Sequence, residues 1–273
     1  MELSICTDVG RVRTLNEDSY LAIPPWCEPA LSAGVALFAV ADGMGGHAGG
    51  EIASALAINT LKRWLGNYRG EPLAGELFEA AFGEASVAVF AYAKAHPELS
   101  GMGTTLTAML VKGAQALIGH VGDSRAYLLR RGVFTQVTHD HTLVAEQVRA
   151  GRLKPEEAHT HPARHILSRA MGVREFITID THLLDLQQGD VILLCTDGVT
   201  GMVSDQRLAE ALAQPAFRKV GRAIVGEANQ AGGTDNSTVI AVLFDEIPVT
   251  VPGRFSFQRL KQWFTYWGCA GAS

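Results

Sequence analysis

Residues 35–58 read VALFAVADGMGGHAGGEIASALAI. An apolar run from Val35 ends in Asp42-Gly43, and a loop carrying Gly43, Gly45, Gly46, Gly49 and Gly50 follows. Apolar Ile52 and Leu56, then Thr60 or Leu61, recur at helical spacing. The stretch therefore reads as buried strand, glycine-rich loop and helix. An Asp-Gly pair alone is most often a hairpin turn. A hairpin needs a second strand directly after the turn, and here a loop and a helix stand instead. Asp42 is thus expected where the strand stops, the edge at which open sheets present their chemistry.

The remaining chain alternates in blocks. Short strands at 3–7 and 19–23 flank a polar segment from Asp8 to Asp18, and Pro24, Pro25 and Pro29 make 24–33 a loop. Apolar Leu73, Leu77, Ala80, Ala81, Val87, Ala88 and Ala91 predict a helix over 73–95 that ends before His96-Pro97. Strands are expected at 104–111, 114–121, 125–130 and 133–138. Lys112-Gly113 and Arg131-Gly132 are short enough to close antiparallel hairpins. Residues 142–151 read as helix, 152–165 as a polar, His-rich loop with Pro155 and Pro162, and 164–171 as a short helix. Strands at 176–184 and 191–196, helices at 204–213 and 216–230, and a last strand at 237–244 complete the pattern. Consecutive strands with helices in pairs between them predict an α+β fold with antiparallel sheets. Nine or ten strands exceed one comfortable twisted sheet, so two packed sheets are expected, with the helix pairs 50–65/73–95 and 204–213/216–230 each covering one outer face.

Composition narrows the function. At 273 residues, with 47% hydrophobic and 19% charged residues, the chain has globular values and the length of one large domain. A formal net charge of -5 gives no field for nucleic acid and suits the gathering of divalent cations. Cys6, Cys27, Cys195 and Cys269 form no CxxC pair, which excludes a zinc knuckle or a dithiol redox motif. The first residues lack a signal-peptide pattern, and no apolar run reaches the roughly 18 residues of a membrane span. A cytoplasmic protein with reduced thiols is the expectation.

Acids recur where apolar strands begin or end. Glu17 and Asp18 precede one strand, Asp42 ends another, Asp123 follows ALIGHVG, Asp197 ends VILLCT and is followed by Gly198, and Asp235 precedes the last strand. Each alone reads as a turn or cap residue. In a sandwich, these ends can converge on one rim. Clustered carboxylates raise one another's pKa and call for cations. Oxygen-only ligands select hard ions, Mg²⁺ or Mn²⁺. Two such ions about 3.5–4 Å apart can share a water and lower its pKa toward neutrality, so no serine or cysteine nucleophile is needed. Gly43, lacking a side chain, can turn its carbonyl to an ion.

Seven segments in order, TDVGRVRTLNED (7–18), VADGMGGHAGGEIAS (40–54), GMGTTLTAML (101–110), GHVGDSRAYL (119–128), QVTHDHTLV (136–144), LLCTDGVTGMVSD (193–205) and GGTDNSTVIAV (232–242), resemble the motif set of the metal-dependent, type 2C Ser/Thr protein phosphatases, in their compact bacterial form. The resemblance implies an α-β-β-α sandwich over about 1–247, with metals at one rim and a flap at about 142–172. It implies two tight Mn²⁺ or Mg²⁺ ions and a weaker third. Asp42 and the Gly43 carbonyl would bind metal, with Asp42 bridging. Asp18, Asp197 and Asp235 would complete the pair, with Glu17 acting through water, and Asp123 would join Asp197 at the third ion. Arg13 would grip the substrate phosphate, for which a guanidinium fork is suited. The implied activity is hydrolysis of phosphoserine and phosphothreonine in proteins, opposing a Ser/Thr kinase in signalling. One position departs from the family. Eukaryotic members carry a histidine after Asp-Gly as a proposed general acid, and here Met44 stands there. His47, three residues on, is a candidate acid or a cap of the following helix.

Other readings are weaker. Gly43-Met44-Gly45-Gly46-His47-Ala48 fits a dinucleotide fingerprint, but a second helix follows where a parallel strand should stand. A pseudophosphatase would lack metal acids, and a small-phosphoester hydrolase is set aside only by the family resemblance. His139, His141, His159, His161 and His165 have no zinc spacing and read as solvated loop residues, with His161 a candidate substrate contact. Cys195 is assigned to the core. In the tail, 248–273, Phe257, Leu260, Phe264 and Trp267 share one helical face beside Arg254, Arg259 and Lys261. Such a segment can lie on an anionic membrane, dock in a partner's groove or pack back on its own domain. No metal or phosphate ligand lies in it, so it is expected to be dispensable for chemistry.

Overall fold

The computed structural model describes residues 1–25, 35–45, 49–158 and 161–246. Its elements run β1 (Glu2–Asp8), β2 (Asp18–Ile23), β3 (Val35–Met44), α1 (Gly49–Asn67), α2 (Gly75–Ala95), β4 (Gly103–Thr104), β5 (Leu106–Lys112), β6 (Gln115–Val121), β7 (Arg125–Arg130) and β8 (Val133–Gln136). Then come α3 (Leu143–Arg149), α4 (Pro155–Ala158), β9 (Asp180–Asp185), β10 (Val191–Cys195), α5 (Asp197–Thr200), α6 (Asp205–Leu212), α7 (Val220–Gln230) and β11 (Ser237–Leu243). One sheet has the order β1-β11-β10-β7-β8 and the other β2-β3-β5-β6-β9, with β4 added to β3. The strand pairings are antiparallel.

The continuous apolar runs are strands buried on both faces, and their parity sorts the layers. In β3, Leu37, Ala39 and Ala41 face α1 and α2, while Ala36, Phe38 and Val40 face the second sheet. In β10, Val191, Leu193 and Cys195 face α6 and α7, while Ile192 and Leu194 face inward. The same alternation in β11 puts Val239 and Ala241 under the helices and Ile240 and Val242 between the sheets. Three apolar layers result, and the expected α-β-β-α sandwich with a helix pair on each outer face is what forms. Cys195 lies in the core as expected and is a free thiol.

Local chemistry sets the connections. Arg131 and Gly132 both have positive φ, 50° and 80°, the left-handed pair that a two-residue hairpin between Arg130 and Val133 requires. Thr142 and Ser204 cap α3 and α6 by accepting from Ala145 N–H and Arg207 N–H. On α2, Phe78, Ala81, Phe82, Ala85 and Val89 repeat at helical spacing and are buried. The helix lies close because β6 carries Gly119 beneath it: a Cβ there would stand 2.6 Å from the Phe78 ring and 3.0 Å from that of Phe82. Gly119→Ala is expected to destabilise the fold by about 1–3 kcal/mol through overpacking. The check is a lower denaturant midpoint at unchanged m-value.

Two expected elements differ. The helix over 164–171 does not form. Leu143 N–H donates to Ile166 O at 2.9 Å, Ser168 N–H to His141 O at 2.8 Å and Met171 N–H to Thr104 O at 2.8 Å, so the backbone groups a helix would use go to neighbouring segments. Gly172, at φ 79°, ends the segment against Val89. The strand expected over 176–184 starts only at Asp180 and runs to Asp185, where β6 offers a partner. His47, Cys27, His159 and the tail 248–273 lie outside the described residues. Among the described residues, no helix is long and apolar enough to cross a membrane.

Candidate metal centre

The strand register brings the acids together. Asp18 pairs with Asp42 across β2 and β3. β3 does not stop at Asp42, as the sequence suggested; it runs on to Met44 because β4 pairs Gly43 with Thr104 and Met44 with Gly103. The Asp42 peptide is fully engaged. Its N–H donates to Thr105 Oγ1 at 2.9 Å, and its carbonyl accepts from Thr105 N–H at 2.9 Å and from the Thr104 hydroxyl at 2.8 Å. Across the sandwich, the Thr196 and Thr238 hydroxyls donate to Asp18 Oδ2 at 2.9 and 2.6 Å. Asp18 therefore joins the two sheets at the rim. Its other oxygen, Oδ1, is buried with no hydrogen-bond partner among the described residues.

Both Asp-Gly pairs are close-approach sites. A Cβ on Gly43 would lie 2.0 Å from Gly50 O and 2.7 Å from Glu17 O. A Cβ on Gly198 would lie 1.9 Å from Asn236 O. Neither position tolerates a side chain without backbone movement. Asp197 is the first residue of α5, one turn begun directly after β10.

The loop before β2 is held by Asn236, a residue outside the expected site. Its Nδ2 donates to Val9 O at 2.9 Å and Leu15 O at 3.0 Å, and its Oδ1 accepts from Glu17 N–H at 2.8 Å. An amide side chain carries both donors and an acceptor, so one residue can tie three backbone groups. The available signal was an amide directly after Asp235 at the entry to a buried strand. Arg13, on this loop, is half-exposed and donates to Asp235 Oδ2 at 2.8 Å. Gly50 N–H faces the Glu17 carboxylate, whose pKa is raised by burial and then by Asp235 and Glu51.

Electrostatically the rim is a carboxylate cluster. Burial pushes Asp18 up to about 7, with Asp197 and Asp235 adding to the shift against the Thr238 and Thr196 hydrogen bonds. Burial pushes Asp123 to about 8, with Asp197 and Asp140 adding. Asp42 is raised well above the carboxylate range by burial, then by Asp18, Asp197 and Asp123. Burial also raises Asp197, with Asp235 adding to the shift against the neighbouring Asp42 carboxyl. Among the described residues, no three His, Cys, Asp or Glu side chains already stand in metal-holding geometry. Facing carboxylates raise one another's pKa, and a cation between them relieves the repulsion. The donor set fits hard divalent ions: oxygen only, mutually raised in pKa, with an orphaned buried oxygen on Asp18.

The histidines divide. His165 is exposed, with Nδ1 3.9 Å from Asp197 Oδ2. His161 Nδ1 accepts from Ala163 N–H in its own turn at 3.1 Å, and His139 is exposed. His141, expected in solvent, is fully buried: a backbone N–H and a carboxylate give its two ring nitrogens partners. His120 is also buried, and its Nδ1 lies 2.9 Å from Thr107 Oγ1.

The family model for Protein phosphatase 2C matches residues 11–231. The serine/threonine protein phosphatase PstP of Mycobacterium tuberculosis is 42% identical over 234 residues, which are 86% of this chain and 43% of PstP. The chain thus spans less than half the length of that relative. The serine/threonine phosphatase stp of Listeria innocua is 36% identical over 246 residues, 89% of this chain and 95% of its own. The solved catalytic domain of PstP in complex with two manganese ions superposes with a TM-score of 0.77 at 38% identity, covering 88% of this chain and 96% of that one. With its two antiparallel sheets, flanking helices and acidic rim, this chain belongs to the protein phosphatase 2C family.

Proposed function

We propose that this chain is a metal-dependent protein phosphatase that hydrolyses phosphoserine and phosphothreonine in proteins. The observation that carries the reading is the gathering of Asp18, Asp42, Asp123 and Asp197 from both sheets into one cluster of raised pKa. Asp42, the Gly43 carbonyl, Asp18, Asp197 and Asp235 are assigned to two Mn²⁺ or Mg²⁺ ions, with Glu17 acting through water and Asp123 with Asp197 at a weaker third. When bound, such ions neutralise phosphoryl charge and lower the pKa of water.

The chain's own groups do the rest. Thr196 and Thr238 fix the Asp18 carboxylate, and Asn236 fixes the loop that carries Arg13 and Glu17. Arg13 presents a planar fork at the rim, half-exposed and paired with one carboxylate that a metal would also engage. It is assigned to the substrate phosphate, which can accept two parallel N–H bonds. His47 is the candidate donor of the proton taken by the leaving alkoxide. The segment 142–172 is assigned as the flap that borders substrate, and 248–273 as an appended tail outside the chemistry. A cytoplasmic setting, phosphoproteins as substrates and an opposing Ser/Thr kinase complete the reading.

The test is turnover of a phosphothreonine peptide by purified protein. Activity is expected with Mn²⁺ and abolished by EDTA. Arg13→Ala is expected to raise KM more than it lowers kcat, because the guanidinium holds phosphate in the ground state as well as the transition state. A folded, Mn²⁺-loaded protein that leaves phosphopeptides intact would refute the function. An Arg13→Ala variant with unchanged KM would remove Arg13 from the phosphate site.

A further inference from the structure

The strand order places a demand on three residues. β6 belongs to one sheet and β7 to the other, and only Gly122, Asp123 and Ser124 join them. The path of this crossing fixes where the Asp123 carboxylate points. Gly122 takes φ 111°, and a Cβ on it would stand 2.5 Å from Thr105 Cβ, so the turn is pressed against the residue that holds the Asp42 N–H. On the far side, Ser124 is held by Thr105, hydroxyl to hydroxyl at 2.7 Å, and by Thr107, whose hydroxyl donates to Ser124 O at 3.2 Å.

Among the described residues, the Gly122 peptide groups are held by His141, and twice. His141 N–H donates to Gly122 O at 2.7 Å, and Gly122 N–H donates to His141 Nδ1 at 3.1 Å. Because Nδ1 accepts, the ring proton sits on Nε2, which donates to Asp180 Oδ2 at 3.0 Å. Asp180 is held in turn by Arg169, at 2.7 Å from Nη1 to Oδ1. The ring of His141 is fully buried and packs on His120 at a centroid distance of 4.6 Å. Its backbone carbonyl accepts from Ser168 N–H. The same histidine therefore grips the Asp123 turn with its ring and amide and the 164–171 segment with its carbonyl.

We propose that His141, fixed in one tautomer by Asp180 and Arg169, is the positioning residue that aims Asp123 at its metal. The proposal rests on the reading of Asp123 as a ligand of the weaker ion. It assigns a role to a carboxylate–histidine–amide chain whose imidazole is buried and whose carboxylate is partly exposed. An acceptor is needed at Nδ1, since a buried N–H left alone is costly and the turn would rotate to find a partner. A carboxylate is needed at Asp180, since it holds the ring orientation.

The experiment reads two quantities. Amide hydrogen exchange at Gly122 is followed in the metal-free protein, and Mn²⁺ binding is followed by calorimetry. His141→Ala is expected to speed Gly122 exchange and to weaken the low-affinity Mn²⁺ phase by about 10–100-fold, leaving the two tighter phases in place. His141→Asn, whose amide oxygen can occupy the Nδ1 position, is expected to recover Gly122 protection and most of the weak phase. It also serves if the alanine variant fails to fold. Arg169→Lys, which loses the planar fork, is expected to give an intermediate loss. Unchanged Gly122 exchange in a folded His141→Ala variant would overturn the proposal, as would equal weakening of all three Mn²⁺ phases. Asp123→Ala separates this inference from the reading beneath it. If that variant keeps the weak phase, the ligand assignment of Asp123 fails, and Gly122 exchange still decides whether His141 sets the turn.

Discussion

Asp42→Asn is expected to make the metal-free protein more stable while reducing Mn²⁺-dependent turnover roughly 10³-fold or more, several kcal/mol of lost transition-state stabilisation. Both effects have one source. The Asp42 carboxyl is forced well above its ordinary range by burial and by Asp18, Asp197 and Asp123, so near neutrality the metal-free fold must bind a proton or tolerate repulsion. An asparagine needs neither. It keeps the shape, and its Nδ2 can donate to the neighbouring Asp197 carboxylate. It cannot bridge two cations as a carboxylate can. Thermal melts with and without Mn²⁺ check this: the melting temperature in EDTA rises, and the rise produced by Mn²⁺ shrinks. Asp197→Asn follows the same logic. Parent-like turnover in a folded Asp42→Asn variant would remove the residue from the centre. A lower melting temperature in EDTA would show that carboxylate repulsion does not govern the metal-free fold.

What the sequence makes legible follows from where the information sits. The strand–loop–helix of residues 35–58 is local: a run buried on both faces, glycines where the backbone is crowded, then helical spacing. The acids at strand ends are local too, and two-sheet packing brings Asp18, Asp42, Asp123 and Asp197 to one rim without further information. His141 and Asn236 are different. Each sits in a polar stretch that reads as exposed loop, and each is made structural by partners far along the chain, Gly122 and Asp180 for one, Val9 and Leu15 for the other. The absent helix at 164–171 has the same cause, since its apolar spacing is helical but its N–H groups are claimed by His141 and Thr104. The continuation of β3 beyond Asp42 depends on β4, a two-residue strand too short to announce itself. The family motifs pointed to the acids as the proposed metal ligands, and the residues that orient them became visible only from hydrogen bonds across the fold.

The metal-free protein is expected to lose stability as pH rises from about 5 to about 8, and Mn²⁺ is expected to reverse that slope. Asp18 and Asp123 titrate near 7 and 8 in the fold, against 3.8 as ordinary aspartates, and Asp42 and Asp197 are raised as well. Between the unfolded and folded values the native state binds more protons than the unfolded chain, so each rise in pH favours unfolding. The stability these protons supply is fully present below about pH 4 and disappears as pH passes through the folded values. Asp180 acts in the opposite sense. Against the cost of burial, its hydrogen bonds to Arg169 and His141 hold it at about 2. Its contribution is present above the unfolded value and is lost only as pH falls toward 2, outside the window in question. Divalent ions compete with the protons for the same oxygens, and binding grows as the carboxylates ionise. At a free Mn²⁺ concentration of 100 times Kd, each site adds about 2.7 kcal/mol to the folded state. The melting temperature in EDTA should therefore fall from pH 5 to pH 8, while that in saturating Mn²⁺ stays level or rises, so that the gap between the two curves widens with pH. Parallel curves would mean that the ions bind away from these carboxylates. An EDTA curve that climbs toward pH 8 would mean that the acids of the rim are already ionised and well solvated, and that their convergence is too loose to hold a metal pair.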